Sequence, residues 1–172
     1  MAAIITGNVA TAGWPPITIG PLIIPIGAFL IGVVFLLRDF VQMYSGKKTT
    51  YYIILVAMFL SGLCSYILGD TLWIVFASTV TFAVSESMDT EMFSRLKLSF
   101  NRRVIYSGIT GGVLDSALFV IIGLSPLGAD ILPWTAVSYA IIGQILVKVL
   151  IQIILLLIIR MLASRPMIIK NK

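Results

Sequence analysis

Runs of about twenty apolar residues, separated by short polar or proline-rich pieces, constrain this chain more than any other feature. Crossing about 30 Å of hydrocarbon takes about 20 residues of helix, the one single-segment structure that satisfies its own backbone polar groups there. Apolar stretches at 26–44, 50–68, 71–88, 104–122 and 134–162 approach or exceed that length and predict five helices. A sixth at 1–14, ending at Trp14-Pro15-Pro16, is short and predicts a truncated first helix of about 20 Å. The expected fold is therefore all-α: a polytopic six-helix membrane bundle forming a single domain over residues 1–172. Composition agrees, with 59% hydrophobic and 11% charged residues and a mean hydropathy of +1.09.

The connections carry the orientation. Pro15, Pro16, Pro21 and Pro25 predict a loop or re-entrant piece before the second helix. Ser45 to Lys48 is a basic turn, Gly69-Asp70 a tight one, and residues 123–133 a loop rich in Pro and Gly. Of twelve basic residues, ten lie in or beside the 45–49 turn, the 89–103 segment and the C-terminal end; the loops at 14–25, 69–70 and 123–133 hold none. By the positive-inside rule the basic segments and both termini are cytoplasmic. The net charge of +5 then reflects topology, and no nucleic-acid partner is expected. The N-terminus lacks the basic n-region of a cleaved signal.

Arg38 and Lys148 are the two basic residues outside those segments, and each has acidic company. Asp115 lies twelve residues after Arg103 and Lys148 twelve before Arg160. At 1.5 Å per residue both sit about 18 Å from the same boundary, so an ion pair between the last two helices is feasible. Charged groups in hydrocarbon are costly and mark pathways or interior pairs. Gln144, Lys148 and Gln152 recur at i, i+4 and i+8 as one polar stripe, which predicts a face turned to the bundle interior. Gly108, Gly112, Asp115 and Phe119 form the small-residue face opposite, suited to close helix approach. Arg38, Asp39 and Glu86 are expected to meet one layer nearer the basic end, unless Arg38 snorkels to the interface. Glu91 and Arg95, at i,i+4, read as an exposed surface pair.

Histidine is absent and Cys64 stands alone, which leaves no metal cluster and no disulfide framework. Nor is there a nucleophile–base pair or a phosphate-binding glycine loop. A non-enzymatic transport protein without cofactor is the expectation.

Four motifs then narrow it: Phe35-Leu36-Leu37-Arg38-Asp39-Phe40, Ser85-Glu86-Ser87-Met88-Asp89-Thr90-Glu91, Asp115-Ser116-Ala117-Leu118-Phe119, and Lys148 in the last helix. In this order and spacing the chain resembles the queuosine precursor transporter family, also called the vitamin uptake transporter family. The resemblance implies a multi-pass importer in the bacterial inner membrane that takes up 7-cyano-7-deazaguanine or its aminomethyl relative for tRNA queuosine salvage. It implies binding or coupling roles for Arg38, Asp39, Glu86, Asp89, Asp115, Ser116, Gln144 and Lys148. A carboxylate at Asp115, Glu86 or Asp89 suits the adjacent N–H groups of a guanine-like edge, and Lys148 suits its carbonyl oxygen or holds Asp115 ionised. Phe82, Tyr106, Phe119 and Trp134 are the stacking candidates. Protons as coupling partner and self-association stay open. So do two other readings: a substrate-binding subunit of an ATPase-powered vitamin transporter, and a non-transport membrane assembly protein.

Overall fold

The computed structural model describes Thr6, Ala10 and residues 14–69 and 72–163. Thr6 and Ala10 are helical, and the Trp14 N–H donates to the Ala10 carbonyl at 3.2 Å. The rest of the span expected over residues 1–14, residues 70–71 and the basic tail lie outside the described residues. Two short strands follow, β1 (Ile17–Ile19) and β2 (Leu22–Ile24), then helices α1 (Gly27–Ile67), α2 (Leu72–Arg95) and α3 (Phe100–Leu118). A π-helical turn, Phe119–Leu124, prolongs α3, and α4 spans Trp134–Ala163.

The proline-rich piece is thus neither a plain loop nor re-entrant helix. It is an antiparallel hairpin with Ile17 opposite Ile24 and Ile19 opposite Leu22. Prolines at 15, 16 and 25 flank the strands and Pro21 sits in the turn, where a missing N–H costs no ladder bond. Ile24 packs with Ala28 and Val147, which seats the hairpin on α4.

α1 unites the helices predicted at 26–44 and 50–68. Gly46 interrupts it at φ 77°, ψ 170°, a region open essentially only to glycine. The limbs on either side are each about 30 Å long. They fold back on one another, since Val34 packs against Ile54, Ala57 and Phe82. The basic turn expected over residues 45–48 therefore shrinks to one residue, and Lys47 and Lys48 are helical.

Helices α1, α3 with its π turn, and α4 are long and apolar enough to cross a membrane. α2 falls outside that group because Thr79, Thr81, Ser85, Ser87, Glu86 and Asp89 dilute its apolar content, and its position explains why. It packs against α1, α3 and the π turn, so its polar residues face protein. The molecule is polar inside and apolar outside: Arg38, Asp39, Glu86, Asp89, Gln144 and Lys148 are buried, whereas Leu55, Phe59, Leu146 and Leu150 are exposed. That inversion is what a lipid solvent selects. The chain is a multi-pass membrane protein.

Two boundaries depart from expectation. α2 runs to Arg95 rather than 88, which draws Asp89 out of the expected charged segment and into the core. α3 begins at Phe100 rather than 104, and the predicted end at 122 falls within the π turn. α2 does not stop at its first charges, because Glu86 and Asp89 pair with Arg38 inside the bundle.

Candidate functional site

The interior is layered along the bundle. At the end holding the hairpin, a cavity of about 340 Å³ lies between α1, α2, the end of α3 and the start of α4. Its polar lining is Ser61, Ser65, Ser78, Thr81, Asp115 and Gln144; Phe82 and Phe119 supply aromatic faces. Trp14, Pro16, Ile23 and Leu132 close it toward the hairpin and the 125–133 loop. The π turn shapes this wall. Ser125 N–H bonds the Val120 carbonyl at 2.9 Å, and the Ile122 carbonyl accepts from Trp73 Nε1 at 2.8 Å. Such turns recur at functional sites because the extra residue re-aims neighbouring side chains.

Asp115 is the charged residue in the cavity lining. Its Oδ2 accepts from Lys148 Nζ at 2.6 Å and its Oδ1 from Ser85 Oγ at 3.4 Å. Lys148 is 2% exposed and stands behind the carboxylate, away from the cavity lining. Its other contacts are Ser116 Oγ at 2.8 Å and Gln144 Oε1 at 3.3 Å. An ammonium has three N–H donors, and these three acceptors use all of them.

One turn nearer the basic end lies a second charged layer. Arg38 Nη1 bonds Glu86 Oε2 at 2.8 Å and Nη2 bonds Asp39 Oδ1 at 2.7 Å. Nη2 also pairs with Asp89 Oδ2. Arg38 is buried, so it does not snorkel. A guanidinium suits this place because its planar fork can engage several carboxylates at once. Gln42 Nε2 extends the layer to the Thr90 carbonyl at 2.9 Å and Ser94 Oγ at 2.8 Å. Counting both layers, three buried carboxylates and the part-buried Asp115 face two buried cations.

Below the charges the bundle is sealed. α3 approaches α2 so closely that a Cβ on Gly111 would lie 2.9 Å from Asp89 Cβ, and Gly108 abuts the Gln152 amide. Leu36, Phe93, Val104 and Leu156 then form an apolar plug, with Phe40 and Phe100 packed on it. At the rim, Glu91 accepts from Lys47 at 2.5 Å, Arg95 at 3.0 Å and Tyr51 at 3.0 Å. The expected Glu91–Arg95 pair thus has a third and fourth member.

The residues singled out from the sequence fall into three groups. Asp115, Gln144, Phe82 and Phe119 line the cavity. Lys148 and Ser116 stand behind Asp115, and Arg38, Asp39, Glu86 and Asp89 form the second layer. Tyr106 and Trp134 belong to neither: they are 53% and 55% exposed on the outer surface, which removes them as stacking candidates. Thr81, Ser61, Ser65 and Ser78 were missed. A Ser/Thr rhythm along α2 was the available signal, at Ser78, Thr81 and Ser85, three to four residues apart.

A family model described as "putative vitamin uptake transporter" matches residues 63–162. That stretch is more than half of the chain and contains Glu86, Asp89, Asp115, Gln144 and Lys148. No curated protein and no solved structure gives a significant match.

Proposed function

We infer that this chain, which belongs to the vitamin uptake transporter family, imports a 7-deazaguanine precursor of queuosine. The observation that supports this most is the cavity lining: a carboxylate held by Lys148 at 2.6 Å, in a small space that Phe82 and Phe119 also line. At about 340 Å³ the cavity falls at the low end of ligand sites, which run from about 300 to 1,000 Å³. A flat bicyclic heteroarene suits that volume. Its adjacent N–H groups suit Asp115, which has Ser85 and Lys148 to hold its orientation, and its faces suit Phe82 and Phe119. Asp115 contacts the cargo in this reading, and Lys148 keeps the carboxylate aimed.

The surplus of buried carboxylates over buried cations supports protons as the coupling ion, with Asp39, Glu86 and Asp89 as the carriers and Arg38 as their fixed counter-charge. The basic end then faces the cytoplasm of a bacterium, and the cavity faces outward.

The test is a bacterial strain unable to make 7-deazaguanines, expressing this chain and supplied with 7-cyano-7-deazaguanine. Queuosine should appear in its tRNA, and an Asp115→Asn variant should abolish it. Absence of queuosine with the intact chain present in the membrane overturns the cargo. Dependence on a co-expressed ATPase module favours a transporter subunit.

A further inference from the structure

The cavity has a second polar feature that Asp115 does not account for. Gln144 is 4% exposed and Thr81 is 1% exposed, and both line the cavity. Gln144 Nε2 and Thr81 Oγ1 are fully buried and have no partner among the described residues. A buried donor left unpaired is costly, so its presence beside an open space calls for a ligand atom.

The orientation of the Gln144 amide follows from its neighbour. Gln144 Oε1 faces the Lys148 ammonium at 3.3 Å, and an ammonium can only donate. The amide's NH₂ group must therefore be the end turned from Lys148. The same ammonium holds Asp115 at 2.6 Å, so the carboxylate and the amide are neighbours across it. Lys148 has no N–H left for a ligand. A cargo carbonyl, which the sequence offered to Lys148, needs another donor.

We propose that Gln144 Nε2 and the Thr81 hydroxyl receive a carbonyl oxygen of the cargo while Asp115 accepts its adjacent N–H groups. The site thereby selects a cyclic amide whose oxygen lies beside a donor edge. The arrangement rests on the cargo reading above but is more general than it. It describes a 2-amino-oxo heterocycle, of which deazaguanines and pterins are both examples. It excludes rings that present an amine where the carbonyl should be. Gln152, whose Nε2 is also unpartnered, takes no part, because it packs against Gly108 outside the cavity.

The experiment measures equilibrium binding to the full-length protein in nanodiscs. The probes are 7-cyano-7-deazaguanine, its 6-thio analogue and a 2-amino-4-oxo pterin. The 6-thio compound keeps the N–H edge and weakens only the acceptor. The intact protein should bind the oxo compound about tenfold more tightly than the thio compound, the worth of one good hydrogen bond. Gln144→Glu keeps the oxygen facing Lys148 and replaces the donor with an acceptor. It should bring the oxo-to-thio ratio to about one. Thr81→Val, nearly isosteric and uncharged, should lower that ratio about threefold and serves as well if the first variant does not fold. Equal losses for both compounds in the two variants, or no discrimination by the intact protein, overturn the proposal. If only the pterin binds, and Thr81→Val weakens it, the cargo reading fails and the donor shelf stands. If no probe binds, both fall.

Discussion

The Lys148–Asp115 contact lends itself to a double-mutant cycle, because each member has a different reason to be buried. Replacing Lys148 with Met removes the cation and leaves Asp115 charged beside an apolar stem. It also strips Ser116 Oγ and Gln144 Oε1 of a donor at 2.8 and 3.3 Å. Breaking one side of a buried pair costs about 3–5 kcal/mol, and each orphaned acceptor could add about 1–3 kcal/mol. Those terms overlap, because the cavity lets Asp115 find water, so the lower figure, about 3 kcal/mol, is the expected loss. Asp115→Asn leaves Lys148 charged at 2% exposure with two neutral acceptors, and should cost as much or more. Asp115→Asn combined with Lys148→Gln removes both charges and keeps hydrogen-bonding groups in place. It should lie within about 1–2 kcal/mol of the intact protein, a coupling energy of several kcal/mol. Denaturant unfolding in mild detergent measures the three variants, and uptake is assayed beside it. The double variant should recover stability without recovering import, since the cargo still lacks its carboxylate. If its stability loss equals the sum of the two single losses, the pair is not electrostatically coupled and the reasoning fails. If import returns with stability, Asp115 serves the pair and not the cargo.

Phe82→Ala and Phe119→Ala should each weaken cargo binding by the worth of a stacking contact, about 1–3 kcal/mol. Tyr106→Ala and Trp134→Ala should leave it unchanged; binding in nanodiscs checks all four. Arg38→Lys replaces a fork that reaches three carboxylates with a single ammonium, and a loss of about 1–3 kcal/mol in unfolding free energy is expected. Gly111→Ala places a methyl against Asp89 Cβ, which cannot swing aside without its backbone. It should cost about 1–3 kcal/mol by the same assay, more than Gly108→Ala, whose neighbour is the mobile end of Gln152. Gly46→Ala puts a Cβ on a backbone conformation reserved for glycine and should cost about 1–3 kcal/mol, read as lowered thermal stability of the purified protein.

How far the sequence could be read depended on which physical signal each feature left. Apolar runs of bilayer length gave most helices, and α4 falls at Trp134–Ala163 against an expected 134–162. Counting residues from Arg103 and Arg160 put Asp115 and Lys148 at one depth, and they touch. Depth is carried by sequence spacing alone, so this much was accessible. Rotation and tertiary contact are not. Nothing in residues 14–25 distinguishes a hairpin seated on α4 from a loop, because three-residue strands leave almost no period. The end of α2 was hidden by its charges: Glu86 was expected beside Arg38, but Asp89 resembles a solvated edge until Arg38 is placed opposite it. Tyr106 and Trp134 were named for their chemistry, but an aromatic on a membrane helix suits lipid as well as cargo. The polar lining at Thr81 and Ser78 was overlooked because hydroxyls are common glue between membrane helices. The family match covers residues 63–162, so Arg38 and Asp39 are tied to the site by contact geometry and not by that match.

The glycine contacts of α3 bear on how the sealed end could ever part. Helices that interlock through large side chains separate only when many rotamers give way together. At Gly108 and Gly111 α3 offers bare backbone to Gln152 and Asp89, so along this seam it has no side chain of its own to withdraw, unlike the plug at Phe93 and Val104. What clamps that seam lies beside it, in Asp89 held by Arg38 and in Asp115 held by Lys148. At the level of these glycines, resistance to opening comes from charge pairing, and at the plug from packing. Loss of either ion pair therefore acts on that part of the seam directly.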